Sequence, residues 1–298
     1  MAGYELLSRE ELQRRAEKAV AMLADCTVCA QECRVNRLEG EKGFCRGGRL
    51  AAVSSWGPHF GEESVLVGRH GSGTVFFANC NLACRFCQNC DISQYGEGEE
   101  VSAGELAGIM LDLQKMGCPN VNLVSPSHYV PQILEALVMA VEKGLTVPLV
   151  YNTGGYDSLA TLALLDGVVD IYMPDIKFGA DEPGAKYSRA PRYFTVARAA
   201  VKEMHRQVGD LQIDERGVAT RGLLVRHLVM PDNLARTENV MKFIAEEISP
   251  ETFVNIMDQY YPAHEARKYP ELSRRITSQE YRAAVRAARA AGLKRIYP

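Results

Sequence analysis

The stretch TVFFANCNLACRFCQNCDIS (residues 74–93) joins a short apolar run to a group of closely spaced cysteines. The run at 74–78 is rich in β-branched and aromatic residues, which predicts a buried strand. Four cysteines follow it within eleven positions: Cys80, Cys84, Cys87 and Cys90. Four thiols this close together indicate a metal site, a disulfide cluster or a chance grouping, and the rest of the chain has to decide among these.

Length and charge restrict the classes of protein that fit this chain. It has 298 residues and a net charge of −3, enough for one large domain with a small appendage. The basic residues are scattered, so we expect no binding to nucleic acid or to an anionic membrane. The amino terminus lacks the apolar core of a signal peptide, and no apolar run reaches the roughly 20 residues of a bilayer span. We therefore expect a cytoplasmic protein, in which grouped cysteines act as metal ligands or catalysts.

Segments of strand and helix character alternate after residue 73, whereas the chain between the first cysteines and Gly73 is predicted to be irregular. Strands are predicted at 74–78, 121–124, 147–151, 168–173, 223–229 and 253–257. Six strands alternating with helices predict an α/β fold, a partial (β/α)6 TIM-like barrel, over residues 71–298. Residues 1–70 are predicted to form an N-terminal helix and a small cysteine-rich module. No Gly-x-Gly-x-x-Gly follows the first strand, so a dinucleotide-binding fold has little support.

Polar residues follow the predicted strands, and the carboxyl ends of parallel strands share one face. The residues concerned are Ser125, Ser127, Asn152, Asp175, Lys177, Arg226, Tyr260, Tyr261 and His264. We expect them on the same face as the cysteines. For Asp175 and Lys177 the alternative is a surface ion pair near a strand end. For Tyr260 and Tyr261 it is aromatic packing of a terminal turn.

The central cysteines have the spacing Cys80-x3-Cys84-x2-Cys87, which differs from the two separated pairs of a zinc finger. Three thiolates from one loop suit a cubane iron–sulfur cluster and leave one iron open to another ligand. A zinc site or a chance cluster are the alternatives. Cys90 is then left over, as a structural thiol near the cluster or as a residue facing the substrate, because a fourth cysteine ligand would close the open iron.

The motif CNLACRFC (residues 80–87) resembles the CxxxCx(aromatic)C signature of the radical S-adenosylmethionine enzymes. The resemblance implies that Cys80, Cys84 and Cys87 hold a [4Fe–4S] cluster whose open iron binds S-adenosylmethionine. It also implies that one-electron reduction yields a 5′-deoxyadenosyl radical, which abstracts hydrogen from a substrate. A barrel interior would shield such a radical from solvent.

Further segments, such as MPDIKF (173–178) and RHLVMPDN (226–233), resemble the activating enzymes of pyruvate formate-lyase, which generate a glycyl radical on a partner protein. The resemblance implies a reductant such as flavodoxin or ferredoxin, and a protein or peptide substrate. The implied cofactor-binding residues are Phe86 (through its backbone), Asn89, Ser125, Ser127, Asn152, Lys177 and Arg226. Cys90 and Tyr261 are weak catalytic candidates. The Gly-Gly-Glu that binds the amino group of S-adenosylmethionine in this family is replaced by SPSH (125–128), so the chain resembles an outlying subgroup.

A second group of cysteines precedes the barrel pattern: Cys26, Cys29, Cys33 and Cys45. Four ligands with one tight pair permit a closed tetrahedral site, with zinc or a second iron–sulfur cluster as the occupant. Four reduced structural thiols are the alternative, and a metal here would be a structural site or an electron relay. The ninth cysteine, Cys118, is expected to be an inert buried thiol.

The leading hypothesis from the sequence is a radical S-adenosylmethionine enzyme that acts on a protein or peptide. A second hypothesis within the same chemistry is the modification of a small molecule or an RNA base. A third, of another class, is a non-catalytic iron–sulfur protein that transfers electrons. The third predicts a cluster whose spectrum does not change when S-adenosylmethionine is added.

Overall fold

A mostly parallel sheet of ten strands runs through residues 2–297, the part of the chain that the computed structural model describes. The strands are β1 (Ala51–His59), β2 (Ser72–Phe77), β3 (Glu99–Val101), β4 (Val121–Val124), β5 (Leu149–Thr153), β6 (Ile171–Pro174), β7 (Gln212–Ile213), β8 (Ala219–Leu228), β9 (Phe253–Met257) and β10 (Arg295–Tyr297). The helices are α1 (Arg9–Ala21), α2 (Ser64–Val67), α3 (Cys90–Ser93), α4 (Ala103–Lys115), α5 (Val130–Glu142), α6 (Leu159–Leu164), α7 (Asp181–Ser188), α8 (Tyr193–Val208), α9 (Thr237–Phe243) and α10 (Ser278–Ala290).

The strand order confirms the predicted α/β partial barrel. β2, β4, β5, β6, β8, β9 and β10 are consecutive parallel neighbours, and helices lie in the connections between them. β1 and β3 add an antiparallel extension beside β2, and β7 forms a small hairpin with β8. The sheet ends at β10 on one side and β3 on the other, so it stays open. The short β10 extends the six predicted strands by one.

The prediction of irregular chain before Gly73 is wrong, because residues Ala51–His59 form β1. Gly57 and Pro58 in this segment hide the strand pattern in the sequence. β3 pairs only with residues 51–53 of β1, so Pro58 lies where β1 has no partner on its other side. A proline is tolerated there because no ladder hydrogen bond needs its missing N–H.

Side chains of the parallel strands alternate between the lumen and the surrounding helices. One buried cluster fills the lumen and combines Val150, Ile171 and Leu224 with Leu66. Leu66 belongs to α2, in the segment 60–68 between β1 and β2, and its carbonyl accepts a hydrogen bond of 2.8 Å from Asn120 Nδ2. Because Asn120 directly precedes β4, this segment closes the amino-terminal end of the lumen.

The first helix packs against α5 on the outside of the barrel. Leu12 and Ala16 of this helix belong to the same buried cluster as Leu134 and Leu137 of α5. The division into residues 1–70 and 71–298 stays a prediction. Within residues 2–297, every helix is too short or too polar to cross a bilayer.

Candidate active site

The central cysteines lie on the loop that follows β2, at the carboxyl end of the parallel strands. Leu82 and Phe86 anchor this loop because both side chains are buried. The Phe86 ring packs against Phe178 and Tyr260, with ring centroids 6.0 Å and 6.1 Å away. The aromatic residue between the second and third cysteines therefore anchors the loop by packing against these two buried rings.

The end of α7 fixes the backbone of the same loop. Ala83 N donates to Ser188 O at 2.9 Å, and Arg85 N donates to Tyr187 O at 2.8 Å. Arg85 also forms an ion pair with Glu265, which ties the loop to the segment after β9. These contacts hold the loop in a defined conformation.

Hydrogen bonds reach the sulfurs of all three motif cysteines. Ser188 Oγ donates to Cys84 Sγ at 3.1 Å, Leu82 N donates to Cys80 Sγ at 3.4 Å, and Ser93 Oγ lies 3.0 Å from Cys87 Sγ. Desolvation raises the pKa of Cys80 to about 12 and that of Cys84 to about 11. These thiols stay protonated at neutral pH unless a metal takes the thiolates, because ligation is what displaces the proton.

The donor set of this loop fits a cluster better than a single ion. Within residues 2–297, no three His, Cys, Asp or Glu side chains are gathered so that they could hold one metal ion. In a cubane each cysteine binds its own iron, so the sulfurs need not converge on one point. Three thiols on one anchored loop, each with a hydrogen bond to its sulfur, match that requirement.

A connected row of charges lies beside the cysteine loop. Lys177 Nζ lies 2.6 Å from Asp175 Oδ2, and Arg226 Nε donates to Asp175 Oδ1 at 2.7 Å. Arg226 Nη2 donates to Asn152 Oδ1 at 2.7 Å. Lys177 and Asp175 thus form the ion pair near a strand end that the alternative names, but their side chains are only 18% and 15% exposed, so the pair is largely buried and not at the surface.

The pKa shifts in this row follow from burial and neighbouring charge. Burial alone would raise the pKa of Asp175, but Arg226 and Lys177 outweigh it and lower that pKa to about 2. Burial would lower the pKa of Lys177, but Asp175 and then Cys84 reverse the direction and raise it. Lys177 therefore carries a fixed positive charge next to the cysteine loop.

Two carboxylates that the sequence did not single out extend the row further. Arg226 Nη1 lies 3.6 Å from Glu62 Oε2 and 3.9 Å from Glu63 Oε1. Both glutamates come from the segment 60–68, outside the alternating strands and helices. The only trace in the sequence is a pair of adjacent acidic residues before the first predicted strand.

The other predicted cofactor residues differ in whether they lie near the charged row. Ser125 adopts a positive φ of 57° after β4, and its N–H donates to Asn152 O at 2.9 Å. Asn89 is exposed and precedes α3, where its side chain makes no capping bond. The hydroxyl of Ser127 is buried against Thr153 Oγ1 at 2.9 Å, and Thr153 donates to Asp157. The structure thus keeps Ser127 in an internal network and does not bring it to the other candidates.

The two weak catalytic candidates lie outside the charged row. Cys90 begins α3, and its sulfur lies 3.8 Å from Asp91 Oδ1. Tyr261 is 37% exposed, and its ring lies 5.5 Å from the guanidinium of Arg275. Its neighbour Tyr260 is the packing residue beneath Phe86, which fits the alternative of aromatic packing for that position.

The first cysteine group surrounds a small cavity that Arg37 and His128 also line. Three of the four cysteines are buried: Cys26, Cys29 and Cys45. Phe44 N donates to Cys33 Sγ at 3.2 Å, and Gly47 N donates to Cys45 Sγ at 3.4 Å. All nine cysteines of the chain, including the buried Cys118, are free thiols.

Comparisons with known proteins agree with these features. A family model described as the Radical SAM superfamily matches residues 74–244. The chain is 34% identical to an uncharacterized protein of Methanocaldococcus jannaschii over 294 residues, which are 96% of this chain and 80% of that protein.

Two solved structures show a more distant similarity. The native anSMEcpe structure with bound AdoMet is 11% identical at a TM-score of 0.49, over 72% of this chain and 57% of that one. The structure of Streptococcus suis SuiB bound to precursor peptide SuiA is 11% identical at a TM-score of 0.46. The match covers 70% of this chain and 42% of that one. The chain spans about half the length of these two proteins.

Proposed function

The chain belongs to the Radical SAM superfamily, and from this membership we propose that it is an enzyme that abstracts hydrogen from a protein or peptide. The family implies a [4Fe–4S] cluster and S-adenosylmethionine, which together supply a 5′-deoxyadenosyl radical on reduction. The observation that carries the proposal is the anchored loop of Cys80, Cys84 and Cys87 beside the fixed positive charge of Lys177. An activase of the pyruvate formate-lyase type is the specific activity that we infer.

Cys80, Cys84 and Cys87 would hold the cluster in this reaction. The hydroxyls of Ser188 and Ser93 lie at the sulfurs of Cys84 and Cys87. Hydrogen bonds to ligating sulfurs stabilise negative charge on them and tune the reduction potential of a cluster. These two serines therefore act as positioning residues for the cysteine ligands.

Lys177 and its neighbours would bind and orient the S-adenosylmethionine. The ammonium of Lys177 suits the carboxylate of that molecule, because a charge-assisted hydrogen bond to a carboxylate is strong where water is excluded. Asp175 holds the ammonium in place at 2.6 Å. Asn152, Arg226, Ser125, Asn89 and the backbone of Phe86 would contact the remaining polar groups.

We infer that the first cysteine group holds a second metal centre of zinc or iron–sulfur type. A single zinc ion would require these sulfurs to move closer together, because within residues 2–297 no three candidate ligand side chains are gathered around one point. Arg37 is 1% exposed, and within residues 2–297 no carboxylate lies within ion-pair distance of it. Its guanidinium instead donates to the carbonyls of Gly48 and His128 and lies 3.9 Å from Cys26 Sγ. A buried cation needs a counter-charge, and a centre with four thiolate ligands would supply one.

Anaerobic reconstitution with iron and sulfide, followed by reduction in the presence of S-adenosylmethionine, tests the central proposal. We expect 5′-deoxyadenosine from the wild-type protein and from Cys118→Ala, and none from Cys84→Ala. Electron paramagnetic resonance should show that S-adenosylmethionine changes the spectrum of the reduced cluster. An unchanged spectrum together with no 5′-deoxyadenosine would favour a non-catalytic electron-transfer protein. Deuterium transfer from labelled peptides into 5′-deoxyadenosine would then separate peptide substrates from small molecules and RNA bases.

A further inference from the structure

Glu62 and Glu63 bring two adjacent carboxylates into the barrel from a segment that precedes β2. Their side chains are only 8% and 5% exposed. Glu63 is the residue directly before α2, whose Leu66 packs into the lumen. The two carboxylates are therefore held inside the barrel by the same segment that closes its amino-terminal end.

Each of these carboxylates keeps one oxygen without a partner. Oε2 of Glu62 and Oε2 of Glu63 are buried and accept no hydrogen bond from any group in residues 2–297. Glu63 Oε1 is occupied, since Asn255 Nδ2 donates to it at 2.8 Å. The 3.6 Å and 3.9 Å approaches of Arg226 are too long for hydrogen bonds. Buried acceptors without donors are unfavourable, so these oxygens need either a proton that Glu62 and Glu63 share or an N–H from a bound group.

The charges of the row balance only if one carboxylate is protonated or a further cation joins them. Its carboxylates are Asp175, Glu62 and Glu63, and its cations are Lys177 and Arg226. Both cations make their shortest ion-pair contacts with Asp175. If all three carboxylates are ionised, two cations leave one negative charge in excess at the glutamate end, and either a proton held by Glu62 or a bound cation removes it. An excess charge inside a protein is unfavourable unless an opposite charge joins it.

A cavity of about 240 Å³ opens directly onto the two glutamates. Met257 supplies apolar surface, and the polar wall consists of Glu62, Glu63, Arg226, Asn255, Asp258 and Gln259. This volume suits the end of one side chain more than a whole cofactor. Its walls offer carboxylate and amide oxygens as acceptors to a group that is rich in donors.

We propose that this cavity is a substrate subsite, in which Glu62 and Glu63 bind a cationic nitrogen group of the substrate, an ammonium or a guanidinium. Such groups carry several N–H donors and no acceptor, and a guanidinium matches carboxylates in geometry as well as in charge. The inference rests on the proposed function, because it assigns the group to the substrate of that reaction. It names the substrate class as peptides or amines with a basic group near the reacting carbon.

The position of the subsite favours the substrate over S-adenosylmethionine as the source of the cation. Lys177 is the charged residue next to Cys84, whereas the glutamates contact the far side of Arg226. Asp175 and Arg226 therefore stand between the cysteine loop and the glutamate pair. A group bound at the pair is therefore separated by Asp175 and Arg226 from Lys177, the residue that we propose to hold S-adenosylmethionine.

The test uses full-length reconstituted protein under anaerobic conditions and two probes of nearly equal shape, n-propylguanidine and the neutral n-propylurea. We expect the guanidine, and not the urea, to raise the melting temperature and to shift the carboxyl carbon resonance of Glu62 in 13C-labelled protein. The Glu62→Gln variant assigns that resonance. The melting shift should vanish in Glu62→Gln/Glu63→Gln and persist in Glu182→Gln, a variant of an exposed glutamate on α7.

Several outcomes would overturn the subsite. Equal responses to guanidine and urea would show that charge is not recognised, and a shift that persists in the double variant would place the binding elsewhere. Loss of the guanidine response at saturating S-adenosylmethionine would assign the cation site to the cofactor and not to the substrate. If the double variant does not fold, the resonance shift in the wild-type protein still decides. Formation of 5′-deoxyadenosine is measured separately, so failure of the proposed reaction and failure of the subsite are distinguishable.

Discussion

The carboxylate of Asp175 lies 2.6 Å from the ammonium of Lys177, on the strand end that faces the cysteine loop. The other oxygen of the same carboxylate accepts from Arg226 at 2.7 Å. One acidic residue therefore joins the cation beside the cysteines to the cation beside the glutamate pair. The two ends of the candidate site are linked through a single side chain, which makes that side chain the most informative one to change.

Asp175→Asn should destabilise the protein strongly, because it leaves Lys177 and Arg226 buried without their shared carboxylate. Removing one partner of a buried ion pair costs about 3–5 kcal/mol of unfolding free energy. Asp112→Asn is the matched control, since it breaks the exposed pair of Asp112 and Lys115 and should cost less than about 1 kcal/mol. Urea unfolding of both variants checks the difference. Similar losses in the two variants would contradict the role of Asp175 in the row.

Gly155→Ala should disturb the site through the backbone. Gly155 has a φ of +77°, and a Cβ there would lie 2.6 Å from the carbonyl oxygen of Asp175. Gly144→Ala is the control, because Gly144 also has a positive φ of +90° but an added Cβ would meet nothing within 4 Å. Both variants bear a strain of about 1–2 kcal/mol, and only Gly155→Ala should also lower the yield of 5′-deoxyadenosine. Equal yields from the two variants would show that the position of Asp175 is not critical.

The two cysteine groups should bind metal independently. Replacing Cys80, Cys84 and Cys87 together by alanine removes the central ligands and should leave one metal centre per chain. Adding Cys29→Ala should then remove that centre, whereas adding Cys118→Ala should not. Elemental analysis separates zinc from iron in the triple variant. A triple variant that binds neither metal would refute the second centre.

The periodic parts of the fold could be predicted from the sequence. The strands at 121–124 and 253–257 have the predicted bounds. Ser102 and Thr277 each have a glutamate three residues later, a sequence pattern typical of a capping box, and the structure forms these boxes at the starts of α4 and α10. The third predicted strand lies two residues later than its apolar run, because Pro148 has no N–H to donate and pairing begins after it. The local sequence pattern is sufficient to predict a helix or strand where apolar side chains recur periodically and capping residues mark the ends.

The candidate site was predictable only where its residues follow strands. Lys177, Asp175, Asn152 and Arg226 come together because the ends of neighbouring parallel strands meet on one face. The glutamate pair has no such pattern, since a segment outside the barrel series carries it into the lumen. Ser127 illustrates the opposite error, because position after a strand does not decide which way a side chain points. The positions of the glutamate pair and of the Ser127 hydroxyl depend on tertiary packing, which no local sequence pattern reveals.

Glu62→Gln should change how the stability of the protein depends on pH. Burial raises the pKa of Glu62 from its ordinary value of 4.5 to about 7; Arg226 offsets the rise in part, and the negative charges of Glu63 and Asp175 add to it. Between these two values the folded protein holds a proton that the unfolded chain has lost. The unfolding free energy of the wild type should therefore fall as pH rises from about 4.5 to about 7, by up to about 3 kcal/mol.

Glutamine cannot ionise, so this loss should be absent from Glu62→Gln. The variant should gain stability over the wild type between pH 5 and pH 8, measured by urea unfolding in buffers free of amines and guanidines. Asp175 does not interfere, because its pKa of about 2 places its own effect below this window. Glu182→Gln should show no such gain. A constant difference between wild type and Glu62→Gln at the two pH values would mean that Glu62 is not held in a site short of positive charge, and that result would weaken the substrate subsite as well.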